Sequence, residues 1–183
     1  EDSEHWKKSM EDEINSLKEK KVFRNIHIKK VPKGRQLIRS RWVFDIKKNA
    51  EGEIVRYKSR LVAKGYLQVS GRDYGETFAP TPAIASIRLI IPLALRLRFT
   101  VHHQDVKTAF LNAKLKKKYR QYMWPPTGFD GTPDHVLELL KCIYGLKQSA
   151  HEWNKNIDCT LREHGFKNVA GDECVYVHHT KSG

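Results

Sequence analysis

The sequence predicts an α+β fold, and three observations carry that prediction. Trp6, Met10, Ile14 and Leu17 recur at spacings of four, four and three, which lines up one apolar stripe on a helix. Residues 41–47 and 54–64 alternate apolar and polar side chains on either side of Asn49-Ala50-Glu51-Gly52, the pattern of a β-hairpin. Trp153, Ile157 and Leu161 mark a later helix, followed by Cys174-Val175-Tyr176-Val177-His178, a strand-like run.

Taken in order, the first helix has Ser3 as its predicted cap and Lys and Glu away from its apolar stripe, so it reads as a packing helix. Pro32-Lys33-Gly34 is a turn leading into the hairpin. Alternation puts Lys58 and Arg60 on one face of the second hairpin strand, with Lys64 in phase if the strand runs that far. Arg41 and Lys47 share a face of the partner strand, so the ribbon carries basic side chains suited to phosphate.

Residues 65–82 read as loop, with turns at Gly71 and Gly75 and prolines at 80 and 82. Residues 84–97 read as an apolar helix that Pro92 should kink or end, at a cost of roughly 3 kcal/mol. A short strand-like run, Arg98-Phe99-Thr100-Val101, comes next. Trp124 to Phe129 is an irregular connection, residues 136–144 a strand, and Ser149-Ala150-His151-Glu152 a capping box opening a helix closed by Gly165. Thr180-Lys181-Ser182-Gly183 reads as a polar turn.

A chain of 183 residues, 39% hydrophobic and 10% aromatic, can bury one domain's core. Lys plus Arg exceed Asp plus Glu by 34 − 21 = 13, which favours an anionic partner, nucleic acid before an acidic membrane surface. No apolar run approaches the roughly 20 residues of a membrane span. The opening residues are acidic and hold no signal-peptide core. Cys142, Cys159 and Cys174 are unevenly spaced and odd in number, which points to a reducing, intracellular setting.

The segment His102 to Asn112 carries the most chemistry. Asp105 ends the strand-like run and precedes short polar residues and an aromatic. A carboxylate so placed can hold a divalent cation, and the turn after it can present N–H groups to a phosphate. It can equally cap a helix beginning at Val106. His102-His103 and His178-His179 predict no metal site, because neighbours in a strand point to opposite faces.

Several motifs stand in order. They are Trp42-Val43-Phe44, Arg56-Tyr57-Lys58-Ser59-Arg60-Leu61-Val62-Ala63-Lys64-Gly65-Tyr66, Asp73-Tyr74-Gly75-Glu76-Thr77-Phe78-Ala79-Pro80, Ser86-Ile87-Arg88, the Asp105 segment, and Tyr144-Gly145-Leu146-Lys147-Gln148-Ser149. In this order they resemble the reverse transcriptase (RNA-directed DNA polymerase) of Ty1/copia-type LTR retrotransposons, over nearly the whole chain from about Trp6 to Tyr176.

The resemblance implies a right-hand polymerase fingers–palm fold, truncated before the second acidic palm motif. Residues 1–183 would form a single partial domain, with about 20–100 fingers-like and about 100–183 mostly palm, returning into the fingers near 120–148. The reaction would be attack of a primer 3′ hydroxyl on a deoxynucleoside triphosphate, directed by an RNA or DNA template and supported by two magnesium ions (Mg2+).

Residue roles follow from the same resemblance. Asp105 would be the first catalytic, metal-binding carboxylate, and the Val106 backbone would help ligate metal. Lys107 and Thr108 would offer N–H groups to the triphosphate, and Phe110 would be the steric gate under the sugar. Gly145, Lys147 and Gln148 would line the incoming nucleotide and template base, while Lys47, Lys58, Arg60 and Lys64 would contact triphosphate or nucleic acid. The partners implied are a primed template, dNTP and the RNase H and integrase regions of a polyprotein, with no membrane, in cytoplasmic particles.

The sequence departs from that pattern in places. Ala150 and His151 stand where proline and arginine are usual, Ala113 replaces glycine, and Lys116-Lys117-Lys118 replace an often acidic segment. Trp124-Pro125 stands where a polar residue and glutamine are usual. The 183 residues contain no Asp-Asp pair, which the family carries in a later aromatic-x-Asp-Asp turn. The expectation is a fragment that does not polymerise DNA by itself. The competing expectations are a non-catalytic nucleic-acid-binding remnant that keeps the basic ribbon and a structural remnant with no activity.

Overall fold

Three β-systems and three helices make up the computed structural model, which describes residues 2–129 and 132–179. In chain order they are α1 (Asp2–Glu19), β1 (Phe23–His27), β2 (Leu37–Ile38), β3 (Ser40–Lys48), β4 (Ile54–Ala63), α2 (Ile84–Arg96), β5 (Gln121–Met123), β6 (His135–Leu139), α3 (Ser149–Glu163), β7 (Lys167–Val169) and β8 (Asp172–Val177). This is the α+β mixture expected. The predicted turn at 180–183 lies outside the described residues. No helix among them is long and apolar enough to cross a membrane.

The central sheet runs β1-β6-β5-β2, antiparallel except for the short parallel β2–β5 pair. Four of the five residues of β6 are buried, His135 being the exception, and Leu137 and Leu139 join Leu17, Val22, Ile38, Leu111, Met123 and Ile143 in the core. β1, β2 and β5 escape sequence prediction because they are short and carry no clean alternation. Burial of β6 on both faces makes them possible.

The hairpin forms as expected: β3 and β4 pair antiparallel from Ser40↔Ala63 to Lys47↔Arg56, with a bulge at Lys47/Lys48. β4 stops at Ala63, so Lys64 leaves the strand and caps a 3-10 turn, Gly65–Leu67. α1 lies along β4 and ties its outer edge. The Ser9 hydroxyl donates to the Tyr57 carbonyl at 3.1 Å and accepts from the Ser59 N–H at 2.8 Å, and Glu13 Oε1 accepts from the Leu61 N–H at 3.2 Å. One turn of helix (Ser9 to Glu13) thus meets alternate residues of a strand edge, in place of a third strand. The helix starts at Asp2, so Ser3 lies inside it and is not its cap.

Four further expectations are corrected. Pro92 neither ends nor interrupts α2, which runs on to Arg96. Pro92 lacks only the one N–H that would reach the Arg88 carbonyl. The strand-like run from Arg98 to Val101 is no strand. Arg98 takes φ 57°, its N–H donates to Leu95 O at 3.1 Å, and the Phe99 N–H donates to Ala94 O at 2.8 Å, a Schellman closure of α2. Beyond it, residues 100–106 are exposed and belong to no helix or strand. No helix begins at Val106; a 3-10 turn, Ala109–Asn112, begins three residues later behind Thr108. The Ser149 capping box also does not form, because the Ser149 hydroxyl is buried and donates to Ile143 O at 2.6 Å.

α2 buries none of its residues, and Ile84, Leu89 and Leu95 are each about two-thirds exposed, at 67%, 69% and 66%. Its start is held by Asp172 Oδ2, which accepts from the Ala83 N–H at 2.9 Å.

Candidate functional site

A cleft of about 460 Å³ opens between α1, β4 and the Asp105 segment. β4 contributes Arg56, Lys58 and Arg60, the connection after α2 contributes Asp105, Val106, Lys107 and Thr108, and Tyr144 closes one side. Tertiary folding therefore brings together six residues predicted from different parts of the chain: Lys58, Arg60 and 105–108.

Four cations line the cleft, Arg56, Lys58, Arg60 and Lys107, together with the carboxylates of Asp12, Glu13 and Asp105. Burial pushes the Lys58 ammonium below the ordinary lysine range, and Arg60, Arg56 and Lys47 push it further, with Glu13 opposing. Glu13 moves the other way. Its burial raises it above the ordinary carboxylate range, partly offset by the Leu61 N–H and by Arg60 and Lys58. A bound anion would relieve the crowding of cations on β4.

Arg60 lies over the Tyr144 ring, 5.9 Å from its centroid, and Phe110 meets the same ring edge-on at 4.9 Å and 62°. Phe110 is half-buried against the core, so Tyr144 and Phe110 form one aromatic wall below the cleft. Tyr144 had no assigned role in the sequence; only the fold reveals its double contact.

Thr108 adopts φ 52°, ψ 43°, a left-handed conformation that β-branched residues rarely take. Its hydroxyl donates to Lys107 O at 2.7 Å, and its carbonyl accepts from the Leu111 N–H at 2.9 Å and from Asn112 Nδ2 at 3.4 Å. Such a conformation costs of order 1–3 kcal/mol and concentrates at functional turns.

The other predicted residues fall elsewhere. Lys64, Gly145 and Lys147 line a second groove with Arg41 and Tyr66. Lys47 is tied to Asp45 at 2.6 Å on the outer part of the hairpin. Gln148 is 1% exposed, and its carboxamide is engaged inside the protein: Oε1 accepts from Gln68 Nε2 at 3.1 Å and Nε2 donates to Asp73 O at 3.3 Å. It stands behind the site and faces neither opening.

That buried cluster was invisible in the sequence. The Asp73 carboxylate accepts from Arg35, Arg72 and the Val69 N–H, while its carbonyl also accepts from Gln121 Nε2 at 2.7 Å. Burial would raise the Asp73 pKa, but Arg72, the Val69 N–H and Arg35 outweigh it and hold it below the usual carboxylate range. Gln68 Oε1 accepts from the Lys147 N–H at 2.8 Å, so the loop after β4 clamps the Tyr144–Ser149 segment.

Among the described residues no group of three or more His, Cys, Asp or Glu could hold a metal ion. Asp105 offers one exposed carboxylate, which does not by itself make a divalent-ion site.

The family described as reverse transcriptase (RNA-dependent DNA polymerase) matches residues 21–183. The chain is 37% identical over 171 residues to the retrovirus-related Pol polyprotein from transposon TNT 1-94 of Nicotiana tabacum, covering 92% of this chain and 12% of that protein. It is 36% and 35% identical over 176 residues to the Pol polyproteins from transposons RE2 and RE1 of Arabidopsis thaliana, covering 95% of this chain and 12% of each relative. The chain thus spans about an eighth of the length of these curated relatives. No solved structure matches it.

Proposed function

The chain belongs to the reverse transcriptase (RNA-dependent DNA polymerase) family, and from that premise we propose that its cleft receives the triphosphate of a deoxynucleotide beside a primed RNA or DNA template. The observation that carries the reading is the meeting of Asp105 with Lys58 and Arg60 in one cleft, across a strand and a turn far apart in sequence. In this reading β3–β4 belongs to the fingers and the Asp105 segment to the palm.

Each residue then has a physical task. Lys58 and Arg60 neutralise phosphate charge on the triphosphate and on the adjoining template backbone, and the N–H groups of Lys107 and Thr108 orient the triphosphate. Phe110, whose ring packs against Tyr144, would act as the steric gate against a ribose 2′ hydroxyl. Lys64, Gly145 and Lys147 present the second groove to the template strand. Gln148 is a positioning residue for that groove. Lys47, paired with Asp45, stays outside the triphosphate contacts. In the reaction the primer 3′ oxygen bonds to the α-phosphorus, its proton departs, and pyrophosphate leaves with the electrons of the broken P–O bond.

Mg2+ would supply charge stabilisation in this chemistry and Asp105 would be one of its ligands; the described residues do not complete its site. That observation favours a second reading, in which the 183 residues bind nucleic acid without extending it. The relatives are Pol polyproteins, which supports other regions of such a polyprotein as partners; RNase H and integrase as those regions, and cytoplasmic particles as the setting, rest on the family resemblance alone.

The test is the salt dependence of binding to a primer–template. Lys58→Gln with Arg60→Gln should flatten the slope of log affinity against log salt by about 2 units. An unchanged slope removes the cleft from the phosphate path. Magnesium-dependent primer extension by the 183-residue chain would overturn the binding-only reading.

A further inference from the structure

Four lysines gather on a surface the cleft does not include. Lys20 and Lys21 stand where α1 ends, and Lys114 and Lys141 face each other in an isolated antiparallel bridge. The Lys141 N–H donates to Val22 O at 3.1 Å, and the Leu115 N–H to Leu140 O at 2.9 Å, so the backbone holds the three segments together. Lys21 and Lys114 are exposed, and Lys20 and Lys141 half-buried.

No carboxylate among the described residues pairs with any of the four. Burial lowers the Lys141 ammonium below the ordinary lysine range, and the charges that lower it further are those of Lys20, Lys114 and Lys21. The fold thus concentrates like charge on a rigid support, an arrangement that favours a polyanion.

The cluster is also joined to the cleft. Lys20 Nζ donates to Asn112 Oδ1 at 3.3 Å, and Asn112 Nδ2 donates to the carbonyl of Thr108, a cleft residue, at 3.4 Å. Ser16, another cleft residue, accepts from the Lys20 N–H through its carbonyl at 3.1 Å. Asn112 thus links Lys20 to the cleft residue Thr108.

We propose that Lys20, Lys21, Lys114 and Lys141 form a second phosphate-binding patch that carries the sugar–phosphate backbone of a nucleic-acid strand away from the cleft. The proposal rests on the reading of the cleft as a nucleotide site, from which it takes the direction of the strand. Phosphate contact of this kind positions a strand without reading its sequence.

The experiment uses the 183-residue chain and a fluorescent DNA duplex with a single-stranded overhang, with poly-glutamate as a control anion. Lys21→Gln with Lys114→Gln changes only exposed side chains. It should weaken duplex binding about tenfold at low salt and flatten the salt slope by up to about 2 units, with an unchanged unfolding midpoint. Lys58→Gln with Arg60→Gln is measured alongside. If that pair flattens the slope and the lysine pair does not, the patch is refuted and the cleft reading survives. If the lysine pair flattens it and the cleft pair does not, the patch stands and the cleft reading fails. Loss of poly-glutamate binding with duplex binding intact would overturn the patch in favour of an acidic protein partner.

Discussion

Gly65 and Gly145 meet backbone to backbone at the joint between the hairpin and the second groove. A Cβ on Gly65 would stand 2.0 Å from the Gly145 carbonyl oxygen, and a Cβ on Gly145 would stand 2.2 Å from Ala63 O. Gly145 also holds φ +89°, where side chains are strained. The Ala63 N–H donates to Tyr144 O at 2.8 Å beside them, so this contact sets the position of Lys64, Lys147 and the Tyr144 ring together.

Gly145→Ala should therefore destabilise the protein by about 2–4 kcal/mol, through strain and a clash with backbone that cannot yield. Gly65→Ala should act in the same direction. The urea midpoint at constant slope checks both, and wild-type stability in either variant would contradict the packing described.

Ser9 and Ser59 are neighbours with opposite expectations. Ser9→Ala removes the group that satisfies the Ser59 N–H and should cost about 1–2 kcal/mol. The Ser59 hydroxyl is buried without a hydrogen-bond partner among the described residues, so Ser59→Ala should be neutral or stabilising by a few tenths of a kcal/mol. Thermal unfolding of both variants separates an edge clasp from simple burial.

Acid sensitivity should come in part from Glu138, buried and paired with Arg24 at 2.5 Å and Arg120 at 2.8 Å. Burial alone would raise its pKa, but the two guanidiniums outweigh it and lower it from the ordinary 4.5. A lowered folded-state value means the pair stabilises fully above that ordinary value and loses its contribution as pH falls through the folded one. Asp73 behaves the same way against its ordinary 3.8. Glu138→Gln should cost about 1–2 kcal/mol at neutral pH and flatten the fall in stability between about pH 5 and pH 3. Denaturation midpoints across that range decide it.

Pro92→Ala should strengthen α2 locally without moving the global unfolding midpoint. Alanine restores one backbone donor and removes a penalty of roughly 3 kcal/mol within the helix. α2 buries no residue, so that gain is not coupled to the core. Increased helical circular dichroism with an unchanged midpoint is the expected pair of results.

The sequence by itself determined the elements whose patterns are local. The stripe at Trp6, Met10, Ile14 and Leu17 gives α1, the alternation around residues 49–53 gives β3–β4, and Ile157 and Leu161 give α3. Its ordered motifs also pointed to the reverse transcriptase family. Only the tertiary structure decided that α1 clasps the edge of β4, that Gln148 lies buried behind Gln68 and Asp73, and that Arg98 closes a helix. It alone put Lys58 and Arg60 beside Asp105, and Lys64 in another groove. The physical reason is the same throughout. Periodicity records which face of an element is buried, whereas strand edges, carboxamides and backbone turns are satisfied by partners dozens of residues away, and those pairings exist only after the chain has folded.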